Sequence, residues 1–191
     1  MWRSVILGFV SMLGTSAAFG EERRELGAHE HGHSTLNIAI EGTRVAMELA
    51  APGMDIVGFE HAAETEEQKA AVETGKRTLA DPLALFVLPP AAGCRLAAAK
   101  VKLETENQET KHGAEESHTE GHSAGEEGHT EFHAEYALDC TNPSALGSIT
   151  FAFFEHFPQA DEIKVTLISE RGQKTFEVER AQPRLALGDL T

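Results

Sequence analysis

Two alternating runs, one opening at Cys94 and one closing at Cys140, flank a stretch with almost no apolar side chains. This arrangement constrains the fold more than any other feature. Over residues 94–103, Leu96, Ala98 and Lys100 fall on one side of an extended chain, and Ala97, Ala99, Val101 and Leu103 on the other. Over 132–140, Phe132, Ala134, Tyr136 and Leu138 alternate with His133, Glu135, Ala137 and Asp139. Both have the period of two expected of half-buried strands. Antiparallel pairing with Cys94 opposite Cys140 sets Leu96 against Leu138 and Ala98 against Tyr136, so one register satisfies the pattern and a disulfide together. The bridge then ties the base of a hairpin whose tip is residues 104–130, a segment of Glu, Thr, Gly, Ser and His too polar to fold alone and expected to be disordered without metal.

The rest reads as an α+β domain. Leu36, Ile38 and Ile40, then Val45, Met47 and Leu49, alternate about the turn Glu41-Gly42-Thr43 and predict a first hairpin. Thr65-Glu66-Glu67-Gln68 has the form of a helix capping box. The helix it starts runs to about Leu79, with Ala71, Val72, Gly75 and Leu79 inward. Asp81-Pro82 caps a second short helix through Phe86, which Pro89-Pro90 stops. Ile163, Val165 and Leu167, then Phe176 and Val178, frame a last hairpin. Periodicity leaves residues 53–60 open between loop and strand, and 149–157 open between strand and helix. The expected architecture is an antiparallel sheet of about five to seven strands, one main packing helix, and the His-rich loop inserted in the disulfide-closed hairpin.

Residues 1–20 have the plan of a secretory signal peptide: Arg3, an apolar run over 4–13, and small residues before Glu21, with Ala18 and Gly20 at the −3 and −1 positions. The apolar run is too short for a membrane anchor, which takes about 20 residues, and no later segment suffices. In an exported chain an even cysteine count reads as a disulfide; Cys94 and Cys140 lack Cys-x-x-Cys spacing, so neither redox chemistry nor thiolate ligation is expected. The mature chain, residues 21–191, has the size of one domain. The whole chain carries a formal charge of −15. Loss of Arg3 takes it to −16, which disfavours nucleic acid and anionic membranes and concentrates cations.

Seven of the ten histidines fall in two tracts: His29-Glu30-His31-Gly32-His33, and the acidic segment with His112, His118, His122 and His129. Neutral imidazole is the commonest side-chain ligand for zinc. His29, His31 and His33, spaced by two, share one face of an extended strand, about 6.5 to 7 Å apart from Cα to Cα, so further zinc ligands must come from elsewhere or from water. His118 with His122, and His129 with His133, have the four-residue spacing at which side chains meet on a helix. Gly113, Gly121, Gly125 and Gly128 oppose a stable helix there. His133 also alternates with the inward face of its strand, which makes solvent exposure its plain alternative. Glu60-His61, just before the capped helix, offers a folded partner for the N-terminal histidines, against the plainer reading of a hydrogen-bonded structural residue. His156, among phenylalanines, is expected to pack or face solvent. Gly-x-Ser-x-Gly, His-Glu-x-x-His, the phosphate-binding loop and the dinucleotide fingerprint are all absent from the sequence, and an enzyme is not expected.

Five elements in order, His29-x-His31-Gly32 before a Leu-x-Ile strand, Gly58-Phe59-Glu60-His61, Cys94 with Cys140, the His-rich insert between them, and Phe157-Pro158, resemble the ZrgA-like proteins. That family is associated with zinc uptake in the periplasm of Gram-negative bacteria. The resemblance spans nearly the whole mature chain. It implies a periplasmic zinc-binding protein that supports a membrane importer, such as a zinc ABC importer or its binding protein. It also implies His29, His31 and Glu60-His61 as first-site residues, and residues from His112 to His133 as a variable reservoir. Two alternatives stay open on the residues alone. One is a protein-interaction module whose His/Glu loop responds to pH. The other is a carrier of Cu(II) or nickel, since nitrogen sites favour copper over zinc.

Overall fold

The computed structural model describes residues 32–105 and 128–188. The signal peptide expected over 1–20, His29, His31, and His112, His118 and His122 of the insert lie outside them. Nine strands and four short or medium α-helices follow one another among the described residues. The chain begins with the hairpin β1 (His33–Glu41) and β2 (Arg44–Pro52). Then come α1 (Gly53–Val57), α2 (Glu66–Leu79) and α3 (Pro82–Leu85), with β3 (Phe86–Val87) directly after. The central hairpin is β4 (Cys94–Thr105) with β5 (Thr130–Cys140). After it come β6 (Ser148–Phe151), α4 (Phe153–His156), the hairpin β7 (Glu162–Ser169) and β8 (Gly172–Glu179), and β9 (Arg184–Ala186).

Six strands form the main sheet in the order β4-β5-β2-β1-β7-β8, and β3-β6-β9 form a second, smaller one. All pairs are antiparallel except β1 with β7, which run parallel and make the sheet mixed. Periodicity within a strand carries no information about that distant partner. One face of the sheet is buried: Leu36, Ile38, Val45, Met47, Leu49, Phe132, Ala134, Tyr136, Leu138, Ile163, Val165 and Leu167 are each 3 % exposed or less. The alternate residues, among them Thr35, Asn37, Glu48 and Lys164, face solvent. That is the signature of an antiparallel-type sheet covered on one side.

The helix α2 lies against the buried face. Its N-terminus is the predicted capping box: the Thr65 hydroxyl accepts from the Gln68 amide at 3.2 Å, and the Gln68 side chain accepts from the Thr65 amide at 3.1 Å. Val72, Gly75 and Leu79 are buried, while Ala71 stays at the margin. Gly75 permits the close approach, because a Cβ there would lie 2.8 Å from Ile56 Cγ2 of α1. The Tyr136 hydroxyl donates to the Leu79 carbonyl at 2.8 Å, joining β5 to the helix end. Burial accordingly pushes the phenol far above its ordinary pKa.

Residues 149–157 are both things that periodicity left open: β6 through Phe151, then α4. Residues 53–57 are helical, as α1, rather than a loop or strand. The small sheet seats Phe86 against Phe151 edge-on at 5.6 Å, and α4 brings Phe153 against Phe157 at 4.8 Å, so the phenylalanine-rich run closes the core.

The Cys94–Cys140 disulfide is present, with Leu96 opposite Leu138 as the alternation requires. The expected pairing of Ala98 with Tyr136 is not. A bulge between Leu96 and Ala98 shifts the register, so Ala99 meets Tyr136, Val101 meets Ala134 and Leu103 meets Phe132. The extra residue moves Val101 and Leu103 onto the face shared with Leu96, which an unbroken strand cannot do. The strands also run farther than expected, to Thr105 and from Thr130, so the insert is shorter than 104–130. Among the described residues no helix is long and apolar enough to cross a membrane.

Candidate metal-handling end of the sheet

Strand register and the docked turn at Glu60 place the described site residues, His33, Glu60, His61, His129 and His133, toward one end of the main sheet. There β1 and β5 begin, β2 and β4 end, and β7 begins. His33 pairs with Glu162, Pro52 with Glu131, and Glu131 with Glu104. The two ends of the His-rich insert emerge at Thr105 and before Gly128, on the same rim.

A buried carboxylate ties two pieces of this rim. Asp55, 1 % exposed in α1, accepts the Gly32 amide on Oδ1 and the Ser34 hydroxyl on Oδ2, both at 2.9 Å. Burial pushes its pKa up, while the hydrogen bonds from Ser34 and Gly32 and the nearby His33 pull it back. The start of β1, directly after His31, is thereby fixed to the helix that leads into Glu60. Sequence reasoning missed Asp55, although two signals were present. It is the only charged residue of the apolar stretch 53–59, and Ser34 has the inward parity of Leu36.

After α1, Gly58 takes a left-handed conformation (φ 80°), and its amide donates to the Met54 carbonyl at 3.0 Å. The chain turns there to present Phe59, Glu60 and His61. The Thr130 amide donates to the Glu60 carbonyl at 2.8 Å, docking this turn on the first residue of β5. Gly53 makes that docking possible, since any Cβ would be driven into the Thr130 hydroxyl and would lie 2.6 Å from the Phe59 carbonyl.

Above that contact His129 Nδ1 lies 2.6 Å from Glu60 Oε2. The Glu60 side chain is 14 % exposed and that of His129 52 %. An imidazole held at Nδ1 by a carboxylate keeps Nε2 for a metal, the relation that orients and strengthens histidine ligands in zinc sites. His61 is placed differently. Its ring stacks on Phe59 at 5.1 Å, Nδ1 lies 2.9 Å from the Ala62 carbonyl, and Nε2 lies 3.4 Å from Gln68 Nε2. Both nitrogens are engaged at the helix cap, so His61 ligates only by releasing Gln68.

His129 and His133 do not meet as residues four apart on a helix do. His133 belongs to β5, and each imidazole has its own carboxylate: His133 Nε2 is 2.7 Å from Glu131 Oε2 and 3.8 Å from Glu104 Oε2. His33, on the solvent face of β1, has Nδ1 3.6 Å from Glu162 Oε1. His156 is exposed on α4.

Among the described residues, no three His, Cys, Asp or Glu side chains already stand in the arrangement of a metal centre. What the rim holds is a set of carboxylate–imidazole pairs, each contributing one or two of the roughly four donors zinc takes. Donor type fits zinc: nitrogen and oxygen, with both sulfurs sequestered in the disulfide.

The family described as ZrgA family zinc uptake protein matches residues 28–187, a span that includes both sheets and the rim. No curated protein matches the chain.

Proposed function

The chain belongs to the ZrgA family of zinc uptake proteins, and on that premise we propose that it is a non-enzymatic periplasmic protein that captures zinc and supports its delivery to a membrane importer. The observation that carries the reading is the Glu60–His129 pair. It stands where the folded domain meets the His-rich insert, with a carboxylate already orienting an imidazole whose second nitrogen is available. In this reading the acidic insert, through His112, His118 and His122, raises the local zinc concentration. His129 with Glu60 receives the ion, and His29, His31 and His33, led in by the Asp55-anchored start of β1, complete the coordination. His61 is a reserve ligand. An export signal over residues 1–20 and the disulfide suit an oxidising compartment.

Native mass spectrometry of metal-stripped mature protein titrated with zinc tests this. The full chain is expected to take several ions. A copy in which a short turn replaces residues 106–127 is expected to keep at least one, and Glu60→Gln or His129→Gln is expected to lose one ion or bind it at least tenfold more weakly. Affinity is expected to fall between about pH 7.5 and about pH 5.5, because protonated imidazole does not ligate. Full zinc binding by the Glu60 and His129 variants, or affinity indifferent to pH, sinks the assignment.

A further inference from the structure

We infer that Glu104, Glu131 and His133 form a second divalent-metal site on the solvent face of the sheet, at the mouth of the β4–β5 hairpin and separate from Glu60–His129. It rests on the zinc-handling reading above but uses none of the same side chains.

Three observations lead to it. The first is convergence. At Glu60–His129 one oxygen meets one nitrogen, whereas here two carboxylates approach the same nitrogen, His133 Nε2, at 2.7 Å and 3.8 Å. Two ligands of a tetrahedral zinc, each roughly 2.0 to 2.2 Å from the ion, stand roughly 3.3 to 3.5 Å apart. The observed separations bracket that spacing. Shifts of roughly half an ångström, within the reach of a glutamate side chain, would let an ion replace the proton that a neutral imidazole can offer to only one of the two acids.

The second is register. Glu104 and Glu131 are directly opposed on paired strands, a position at which like charges destabilise a sheet. A dication between them reverses the sign of that interaction. The third is burial. The Glu131 side chain is only 8 % exposed although it lies on the face that the other strands turn to solvent. Burial limits the conformations of that carboxylate, and its pairing with His133 holds Oε2 toward the imidazole. Lys102 approaches Glu104, but on the other oxygen, with Nζ 3.5 Å from Oε1. Oε2 is the atom turned toward His133.

The position also has a consequence for delivery. The site is carried by the two strands that hold the insert, Glu104 on one and Glu131 with His133 on the other. A metal here would join the two strands at the hairpin's tip as the disulfide joins them at its base.

The test uses metal-stripped mature protein and zinc sulfate alone, with His133→Gln, Glu131→Gln and Glu60→Gln compared by native mass spectrometry and chelator competition. His133→Gln and Glu131→Gln are each expected to lose one zinc, or to hold it at least tenfold more weakly, while keeping the ion that Glu60→Gln loses. Because Glu131→Gln alters a buried side chain and can compromise folding, ring 15N resonances of the unmutated chain provide a second readout. Zinc is expected to move the His133 Nε2 signal in step with one binding event. Unchanged stoichiometry and affinity in His133→Gln, or a His133 ring signal that zinc leaves in place, overturns the second site. Zinc lost from the His133 variant but not from the Glu60 and His129 variants upholds it and overturns the Glu60–His129 assignment instead. No zinc on any form overturns both.

Discussion

The two ends of the β4–β5 hairpin are built from the same pair of strands by opposite means. At one end Cys94 and Cys140 are covalently joined, and Leu96 faces Leu138 beneath them. At the other, Glu104 faces Glu131 and Thr105 faces Thr130, with His129 and His133 alongside and the polar insert beyond. One end contributes stability through a covalent bond, with the exposed Arg95–Asp139 ion pair beside it. The other gathers charges that a sheet with no ligand would do better without. The difference teaches that folding and metal handling are separable along a single hairpin. The core of thirty buried apolar residues includes none of the rim's histidines or glutamates.

The largest expected effect breaks the disulfide-bonded end. Replacing both Cys94 and Cys140 with Ser, which opens a 46-residue separation, should cost about 4 kcal/mol by the loop-entropy relation. Denaturant melts should show the loss, while zinc stoichiometry of the folded fraction stays unchanged. If zinc binding falls with the disulfide at temperatures where the fold persists, the two ends are coupled and the comparison fails.

Gly53→Ala should couple the two properties where the disulfide does not. The methyl group collides with the Thr130 hydroxyl and the Phe59 carbonyl, at an overpacking cost of about 1 to 3 kcal/mol. By parting Thr130 from Glu60 it should also weaken zinc binding at His129. Loss of stability with zinc affinity intact would show that the Glu60 turn needs no such support.

The smallest effect is a pH dependence. Burial raises the Asp55 pKa in the folded state, so the fold favours the neutral acid. Its contribution is fully present below the ordinary carboxyl range and is lost as pH rises through the raised value. Asp55→Asn, which cannot ionise, should therefore gain relative to the natural protein as pH increases from about 4 to about 7. A stability difference that stays flat, or moves the other way, would mean that the hydrogen bonds from Gly32 and Ser34 outweigh desolvation.

Local pattern made much of this legible. The hairpins, the Thr65–Gln68 box, the disulfide and the one-sided sheet all follow from alternation and capping chemistry within short windows. The bulge is legible too: apolar positions are even at Leu96 and odd at Val101 and Leu103, a change that needs one extra residue. The parallel pairing of β1 with β7 was not, because strand periodicity is the same whatever lies beside it. At the rim, histidine spacing did not indicate the partners that the structure gives these residues. His129 and His133 each answer to a carboxylate, Glu60 from far along the chain and Glu131 two residues away in the strand. Only the docking of Thr130 on the Glu60 turn brings the first of these about.

The parallel β1–β7 pair also sets a timetable. His33 opens the strand that occupies an interior place in the sheet, yet its neighbour on one side begins at Glu162. As the chain emerges from its N-terminus, β1 and β2 can meet almost at once, but the far edge of β1 stays open until nearly all of the sequence is available. Contacts this distant make for slow closure and leave an unpaired strand edge exposed meanwhile. The protein therefore has its greatest exposure to misassembly just before its last hairpin arrives, and a chain ending short of Glu162 would keep that edge indefinitely.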